Sequence, residues 1–368
     1  MKAVQMVATG GPDVLQPSDV PEPAMTAPGQ VKVRIRAAGI NPIDTKVRSR
    51  GLFQGEPPAV LGCDGAGEVV EIGPAVRRFA VGDPVWFCHG GLGGAQGNYA
   101  EFTVIDEAHV EPKPASLSFN EAAAAPLALI TAWESLFTQA RTDKGDTVLI
   151  HAGAGGVGHL AIQLAKLHGA RVITTVSSPE KAEFVRGLGA DDTIDYTRED
   201  FVARTLELTE GTGADTVYDT VGPDVFSRSI EACAHYGSLV TLLDPGPGID
   251  WKEARIRNLS IHFTLMLAPW LRGLETHWAR QNQILRRCAA WFDEGRLQVR
   301  VGRVFPLAEA AAAHRLIEAG QTVRLHMELT CHTDDDVEGM ERNVVGEIPG
   351  TDPLIGDEIE RAVSWQNG

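Results

Sequence analysis

The run Val148-Leu149-Ile150-His151-Ala152-Gly153-Ala154-Gly155-Gly156-Val157-Gly158 limits what this chain can become more than any other stretch. A β-branched, apolar run ends in a glycine cluster, and a helix-patterned segment, His159 to His168, follows at once. A second strand pattern, Arg171 to Val176, comes next. That order is what a dinucleotide pyrophosphate requires. Gly153, Gly155 and Gly158 permit the tight turn, the approach of backbone to phosphate and the packing of helix on strand. Ala154, Gly156 and Val157 complete the loop, and the helix start offers unpaired N–H groups and a positive dipole end to an anion. The competing reading is a purely structural glycine turn.

A dinucleotide without a 2′-phosphate is usually held by an acid at the end of the second strand. Here that end reads Thr175-Val176-Ser177-Ser178-Pro179-Glu180-Lys181. Ser177, Ser178 and Lys181 supply donors and a positive charge suited to a 2′-phosphate, so NADPH is expected over NADH. The same residues read as a helix start, with Ser178 the cap and Pro179 the first residue. The two roles are compatible.

At 368 residues two domains are expected. Apolar content of 43% and charged content of 22% are globular values. No apolar run approaches the roughly 18 residues of a membrane span. The start, Met1 to Met6, lacks the apolar core of a secretion signal. A soluble, cytoplasmic protein without a membrane partner is expected. A net charge of −16 argues against a nucleic-acid partner, because phosphates need clustered bases. Cys63, Cys88, Cys233, Cys288 and Cys331 are scattered and never form C-x-x-C, so neither a disulfide framework nor a zinc cluster is expected.

Residues 1–127 read as strands and turns. Val31 to Arg36 alternates apolar and basic, and Gly65 to Gly73 and Val81 to Phe87 are short strands bounded by glycine and proline. Beyond residue 128 the rhythm becomes strand 147–151, helix 156–168, strand 171–176, helix 179–188, strands 193–195 and 215–219, helix 225–234, and strands 237–243 and 259–264. That alternation predicts a doubly wound parallel sheet. Helices from Leu274 to Glu294 and from Leu307 to Ala319 are expected to return to the first domain. The cofactor domain, 128–269, would then be inserted into a domain made of 1–127 and 270–330. Residues 331–368 hold ten acids against Arg342 and Arg361 and read as an acidic, loosely packed tail.

Ala38-Gly39-Ile40-Asn41-Pro42-Ile43-Asp44, Leu61-Gly62-Cys63-Asp64-Gly65-Ala66-Gly67, Val81-Gly82-Asp83, Pro126 to Trp133 and the glycine loop occur in one order. Across residues 1–330 this pattern resembles the zinc-independent quinone oxidoreductase branch of the medium-chain dehydrogenase/reductase superfamily. The resemblance implies an α/β fold: a GroES-like β-rich catalytic domain plus a Rossmann doubly wound cofactor domain. It also implies an active site in the cleft between them and a homodimer joined through the cofactor-domain sheets. Zinc-dependent relatives carry a cysteine and a histidine in the segments matching Ile40-Asn41 and Gly62-Cys63, where Asn41 and Cys63 stand here. No metal site is expected, since a catalytic zinc needs three converging protein ligands. Hydride transfer then suits an acceptor that is already electron-poor, a quinone or an α,β-unsaturated carbonyl, better than an alcohol.

The resemblance also implies site residues. Asn41, Asp44 and Lys46 form the catalytic group. Asn41 would donate to the substrate carbonyl or hold the carboxamide, although Asn-Pro also starts turns. Asp44 would order the loop and meet a ribose hydroxyl. Lys46 replaces a tyrosine of relatives and reads as a proton donor or oxyanion partner, or as a solvated lysine. Thr131 would reach the cofactor phosphate or nicotinamide ribose, or be a helix-buried threonine. Tyr196 and Arg324 would flank the adenosine phosphates, with a strand-end aromatic and a surface arginine as the plain alternatives. Leu242, Leu243, Phe263 and Leu265 would cradle the nicotinamide amide through their backbone. Tyr99 reads mainly as core packing. Two other functions fit the glycine loop: an enoyl-thioester reductase, for which no basic patch is evident, and a non-catalytic NADPH-binding protein.

Overall fold

Alternating burial runs along the strand Gln30–Gly39, where Val31, Val33 and Ile35 are fully buried between the basic residues. The opposite face finds partners: Lys32 pairs with Glu22 at 2.6 Å and Arg36 with Glu68 at 2.7 Å. Lys32 and Arg34 also lie over the Phe102 ring. The computed structural model describes residues 1–319 and the backbone of the strand Leu325–Glu328. Arg324 and the acidic tail at 331–368 lie outside the described residues.

The Gln30–Gly39 strand is the axis of a seven-stranded sheet. On one side follow Asp64–Ile72, Pro84–Cys88 and Glu111–Pro112, and on the other Leu325–Glu328 and Arg303–Pro306. Phe102–Asp106 also pairs with it. A small sheet places Lys2–Met6 between Leu15–Asp19 and Ala59–Val60. This is the GroES-like, β-rich unit. Its last two strands come from the far end of the chain, so the chain leaves this sheet and returns to it.

Between departure and return the chain builds a six-stranded sheet in the order Asp192–Asp195, Arg171–Val176, Thr147–Ile150, Ala214–Asp219, Cys233–Thr241 and Ser260–Phe263. Every pairing is parallel. Val148, Leu149 and Ile150 are all fully buried, as a strand covered by helices on both faces requires. Numbered along the chain, the spatial order is third, second, first, fourth, fifth, sixth. The reversal between the first and fourth strands opens a crevice at their carboxyl ends, where this Rossmann-type arrangement binds its ligand. The glycine loop occupies that place.

Several elements differ from expectation. The helix Pro42–Arg50 lies in a region read as strands and turns, because its inward residues include Asp44, Thr45 and Arg48, which hide the apolar stripe. Arg48 is fully enclosed, donating to the Gly10 carbonyl at 3.0 Å and pairing with Glu318. The helix Pro126–Trp133 is the one the helix-buried alternative for Thr131 requires, whereas the helix Phe201–Leu208 departs from expectation; it is short and held at its start by Asp200, which accepts from Val202 and Ala203. The strand Cys233–Thr241 begins earlier than expected, with Tyr236 at φ +62° and a register break opposite Ala214 to Thr216. It also ends earlier, which places Leu242 and Leu243 in the loop that follows.

The helix Glu275–Asp293 ties the two units together. Trp278, Gln281, Leu285, Cys288 and Phe292 bury one face at three- and four-residue spacing. Gln281 donates to Glu134 at 2.9 Å and to the Met266 carbonyl at 2.6 Å. Arg286 grips the buried Glu111 carboxylate with two bonds of 2.9 Å, and Arg78 adds a third contact at 2.8 Å. Among the described residues no helix is long and apolar enough to cross a membrane.

Candidate active site

The glycine loop is fastened from beneath by the neighbouring strand. Gly153 N–H donates to the Thr175 carbonyl at 3.1 Å and Ala152 N–H to Thr175 Oγ1 at 3.0 Å. Thr174 Oγ1 donates to the Ile150 carbonyl at 2.7 Å. His151 lies 3.3 Å from Thr175 Oγ1 through Nδ1 and 3.0 Å from Ser229 Oγ through Nε2. Burial lowers its pKa to about 3, so the ring stays neutral. A Cβ at Gly153 would stand 2.0 Å from Thr174 Oγ1, and one at Gly158 2.4 Å from the Ala152 carbonyl. Only glycine fits either position. Ala154, Gly155, Gly156 and Val157 are half-buried and face the crevice mouth at the start of the helix Gly158–His168. That cradle fits a dinucleotide pyrophosphate.

At the next strand end Ser178 caps the helix Pro179–Gly187 by accepting from Lys181 N–H at 3.3 Å. Lys181 Nζ donates to Ser177 Oγ at 2.7 Å. Half-buried Tyr196 is held beside them through its N–H to the Val176 carbonyl at 3.1 Å. Cap and cation therefore coexist, and Ser177, Ser178, Lys181 and Tyr196 gather at two adjacent strand ends.

Across the cleft, Asn41 caps the Pro42–Arg50 helix. Its N–H donates to Asp44 Oδ2 at 2.7 Å, and its Nδ2 donates to Asp64 Oδ2 at 2.9 Å. Asp64 Oδ1 also accepts from Leu127 N–H at 2.9 Å, linking Asn41 to the Pro126–Trp133 helix. Asp44 is fully buried and accepts further from the Tyr99 hydroxyl at 3.2 Å and the Cys63 thiol at 3.7 Å. Burial raises its carboxyl to about 7; the Asn41 N–H opposes the shift and nearby Asp64 adds to it. All these Asp44 contacts are with protein groups. Lys46 is half-buried, its pKa lowered by burial and then by Arg50, and it forms no ion pair among the described residues.

Thr131 donates its hydroxyl proton to the Leu127 carbonyl at 2.6 Å, so it offers the cleft only lone pairs. The amides of Leu242 and Leu243 are engaged by the Asp219 carbonyl at 3.3 Å and Thr241 Oγ1 at 3.1 Å. Phe263 and Leu265 are more than half exposed.

Where the two units meet lies a slot lined by Cys63, Cys88, His89, Gly90, Trp270, Trp278 and Gln281, together with Met266 and Leu267. It is small, with about 20 Å³ of free volume. Cys63 connects it to Asp44, and burial pushes the Cys63 and Cys88 thiols well above their usual range. A larger crevice of about 220 Å³ near Gln163, Lys166 and Arg296 has its polar groups committed to Gln298, Asp191 and Glu294. The slot is therefore the better candidate for substrate.

Among the described residues no three His, Cys, Asp or Glu side chains are arranged to hold a metal ion. Cys88 and His89 stand beside Cys63 without completing a zinc-binding set. Sequence reasoning missed Asp64 and His314. Asp64 could have been found beside Cys63 in the Leu61 to Gly67 stretch. His314 sits in the alanine-rich helix Ala310–Glu318 and carries no such signal.

Two family descriptions match the chain: an alcohol dehydrogenase GroES-like domain over residues 27–115 and a zinc-binding dehydrogenase over residues 188–323. A quinone oxidoreductase of Pseudomonas aeruginosa is 38% identical over 324 residues, 87% of this chain and 97% of that protein. A 2-haloacrylate reductase of a Burkholderia species is 35% identical, spanning 85% and 94% of the two chains. The Escherichia coli quinone oxidoreductase solved with NADPH superposes with a TM-score of 0.77 at 30% identity, over 89% of this chain and 100% of that one. These likenesses support a nicotinamide cofactor for the chain. At this identity over nearly the whole of both chains, the protein belongs to the zinc-independent quinone oxidoreductase branch of the medium-chain dehydrogenase/reductase superfamily.

Proposed function

We propose that the protein reduces quinones or α,β-unsaturated carbonyls with NADPH in the interdomain cleft. The observation that carries this is the donor set. Asn41 and Cys63, with Asp44 and Asp64 behind them, form a hydrogen-bonded floor and not a metal cage. An acceptor polarised only by hydrogen bonds must already be electron-poor. Bound NADPH supplies the hydride. For an enone the β-carbon gains that hydride, the α-carbon gains a proton, and NADP⁺ is left. The names of the relatives, a quinone oxidoreductase and a haloacrylate reductase, support this acceptor class.

In this reading Gly153 to Gly158 hold the pyrophosphate, and Ser177, Ser178, Lys181 and Tyr196 hold the 2′-phosphate. Thr131, Leu242, Leu243, Phe263 and Leu265 flank the nicotinamide, and Asn41, Asp44 and Lys46 serve the reacting end. The proposed domains are 1–127 with 270–330, and 128–269. We also propose a cytoplasmic homodimer. Support comes from the edge strand Ser260–Phe263, which ends the parallel sheet with Phe263 and then Leu265 exposed, a surface that a second copy would cover. Among the described residues the four cysteines are free thiols, which suits a reducing compartment.

The test is NADPH oxidation with 9,10-phenanthrenequinone, 1,4-benzoquinone and 2-alkenals. Turnover is expected with at least one. Tight NADPH binding with no turnover on any of them would instead identify a non-catalytic binding protein.

A further inference from the structure

The slot contains one polar ring whose hydrogen bonding is incomplete. His89 follows the strand Pro84–Cys88, and its backbone is fixed on both sides. Its N–H donates to the Cys63 carbonyl at 2.7 Å, and its carbonyl accepts from Asn98 Nδ2 at 3.0 Å. The ring lies nearly parallel to Trp278, 15° between planes and 5.5 Å between centres. Trp278 is stacked in turn on His109 at 3.6 Å. The imidazole is therefore held in place by backbone and by stacking. Yet its Nδ1 is enclosed and has no hydrogen-bond partner. Enclosed polar atoms in native proteins are nearly always paired, and the exceptions call for an explanation.

We propose that the His89 imidazole is a substrate-contacting catalytic residue that donates a hydrogen bond to the acceptor's carbonyl oxygen. This rests on the reductase reading above. Met266, Leu267 and the rings of Trp270 and Trp278 supply apolar surface, and both amide protons of Gln281 are used. A flat conjugated carbonyl seated on this apolar surface would have its oxygen toward the His89 ring. As hydride reaches the β-carbon, the electron pair of the double bond shifts toward the carbonyl oxygen, and a fixed N–H is worth most at that moment. Burial, and secondarily His109, hold the His89 pKa near 3, so the ring acts as a neutral donor and not as an acid.

The experiment compares wild type with His89→Leu and His89→Gln. His89→Leu is expected to lower kcat for quinone and enone on the order of 10²-fold with NADPH affinity unchanged. His89→Gln, which keeps an N–H donor, should recover a large part of the loss. A second arm measures binding of 2-cyclohexen-1-one to the protein–NADP⁺ complex by calorimetry, which needs no turnover. His89→Leu should weaken it roughly tenfold, the size of a net hydrogen bond. If His89→Leu turns over like wild type, or binds the enone equally well, the assignment is wrong. If wild type turns over nothing, the reductase reading fails, and the binding arm still decides His89. Melting curves of both variants separate a folding defect from either result, and His89→Gln serves if His89→Leu does not fold.

Discussion

The Tyr99 hydroxyl stands 3.2 Å from Asp44 Oδ2 and also 3.2 Å from His314 Nε2. One oxygen thus joins the capped start of the Pro42–Arg50 helix to the helix Ala310–Glu318, from a residue read in the sequence as core packing. Asp44 is the group in this network whose charge is in question. Its carboxyl titrates near 3.8 when unfolded and near 7 when buried here. The folded state therefore binds an extra proton between those values. Its stabilisation is fully present below 3.8 and is lost as pH rises through 7. Asp44→Asn does not titrate. Its stability relative to wild type should climb between those two pH values and level off above them, as read by urea unfolding across pH. A pH-independent difference would refute the raised carboxyl.

The cradle makes a steric prediction. Gly153→Ala places a methyl against Thr174 Oγ1 at 2.0 Å and Ile162 Cδ1 at 2.9 Å. Overpacking of this kind costs about 1–3 kcal/mol, and here it should appear largely as lost NADPH affinity. Adding Thr174→Ala should return part of the affinity in a binding titration. No recovery would mean that the loop fails for another reason.

Cofactor choice is predicted to depend on Lys181. Lys181→Ala should weaken NADPH by about 1–3 kcal/mol, the worth of a hydrogen bond to a charged group. NADH affinity should hardly change. An equal loss for both cofactors would remove Lys181 from the 2′-phosphate.

Glu111 predicts how firmly the long helix is tied down. Its carboxylate is fully buried between Arg286 and Arg78. Arg286→Ala leaves that charge half-satisfied and should cost about 1–3 kcal/mol of stability. Adding Glu111→Gln should recover some of it, since a neutral amide tolerates the loss better. Additive losses in the double mutant would argue against the coupling.

The edge strand carries the assembly prediction. Phe263→Glu places a charge on an apolar, exposed strand end and should yield monomers in sedimentation, with the fold intact by circular dichroism. A wild-type protein that already sediments as a monomer would end the homodimer proposal.

The glycine loop and the parallel sheet were legible because each strand is short, apolar and punctuated. Val148 to Ile150 could hardly be anything but a covered strand. The Pro42–Arg50 helix was not legible, because Asp44 and Arg48 point inward and find partners, Tyr99 and Glu318, that lie far off in the chain. The strand starting at Cys233 was read late because Tyr236 adopts a left-handed backbone that breaks the alternation. The resemblance brought Asn41, Asp44 and Tyr196 to attention, while the end of the second strand marked Ser177, Ser178 and Lys181. The place of His89 beside Trp278 and Cys63 was not legible, since it arises only when residues 63, 89 and 278 meet in space.

The lining of the slot bears on acceptor choice. Met266, Leu267 and the rings of Trp270 and Trp278 give it apolar surface. Acceptors that bury a flat apolar ring there gain from leaving water, so quinones and cyclic enones are expected to outrank small polar carbonyls.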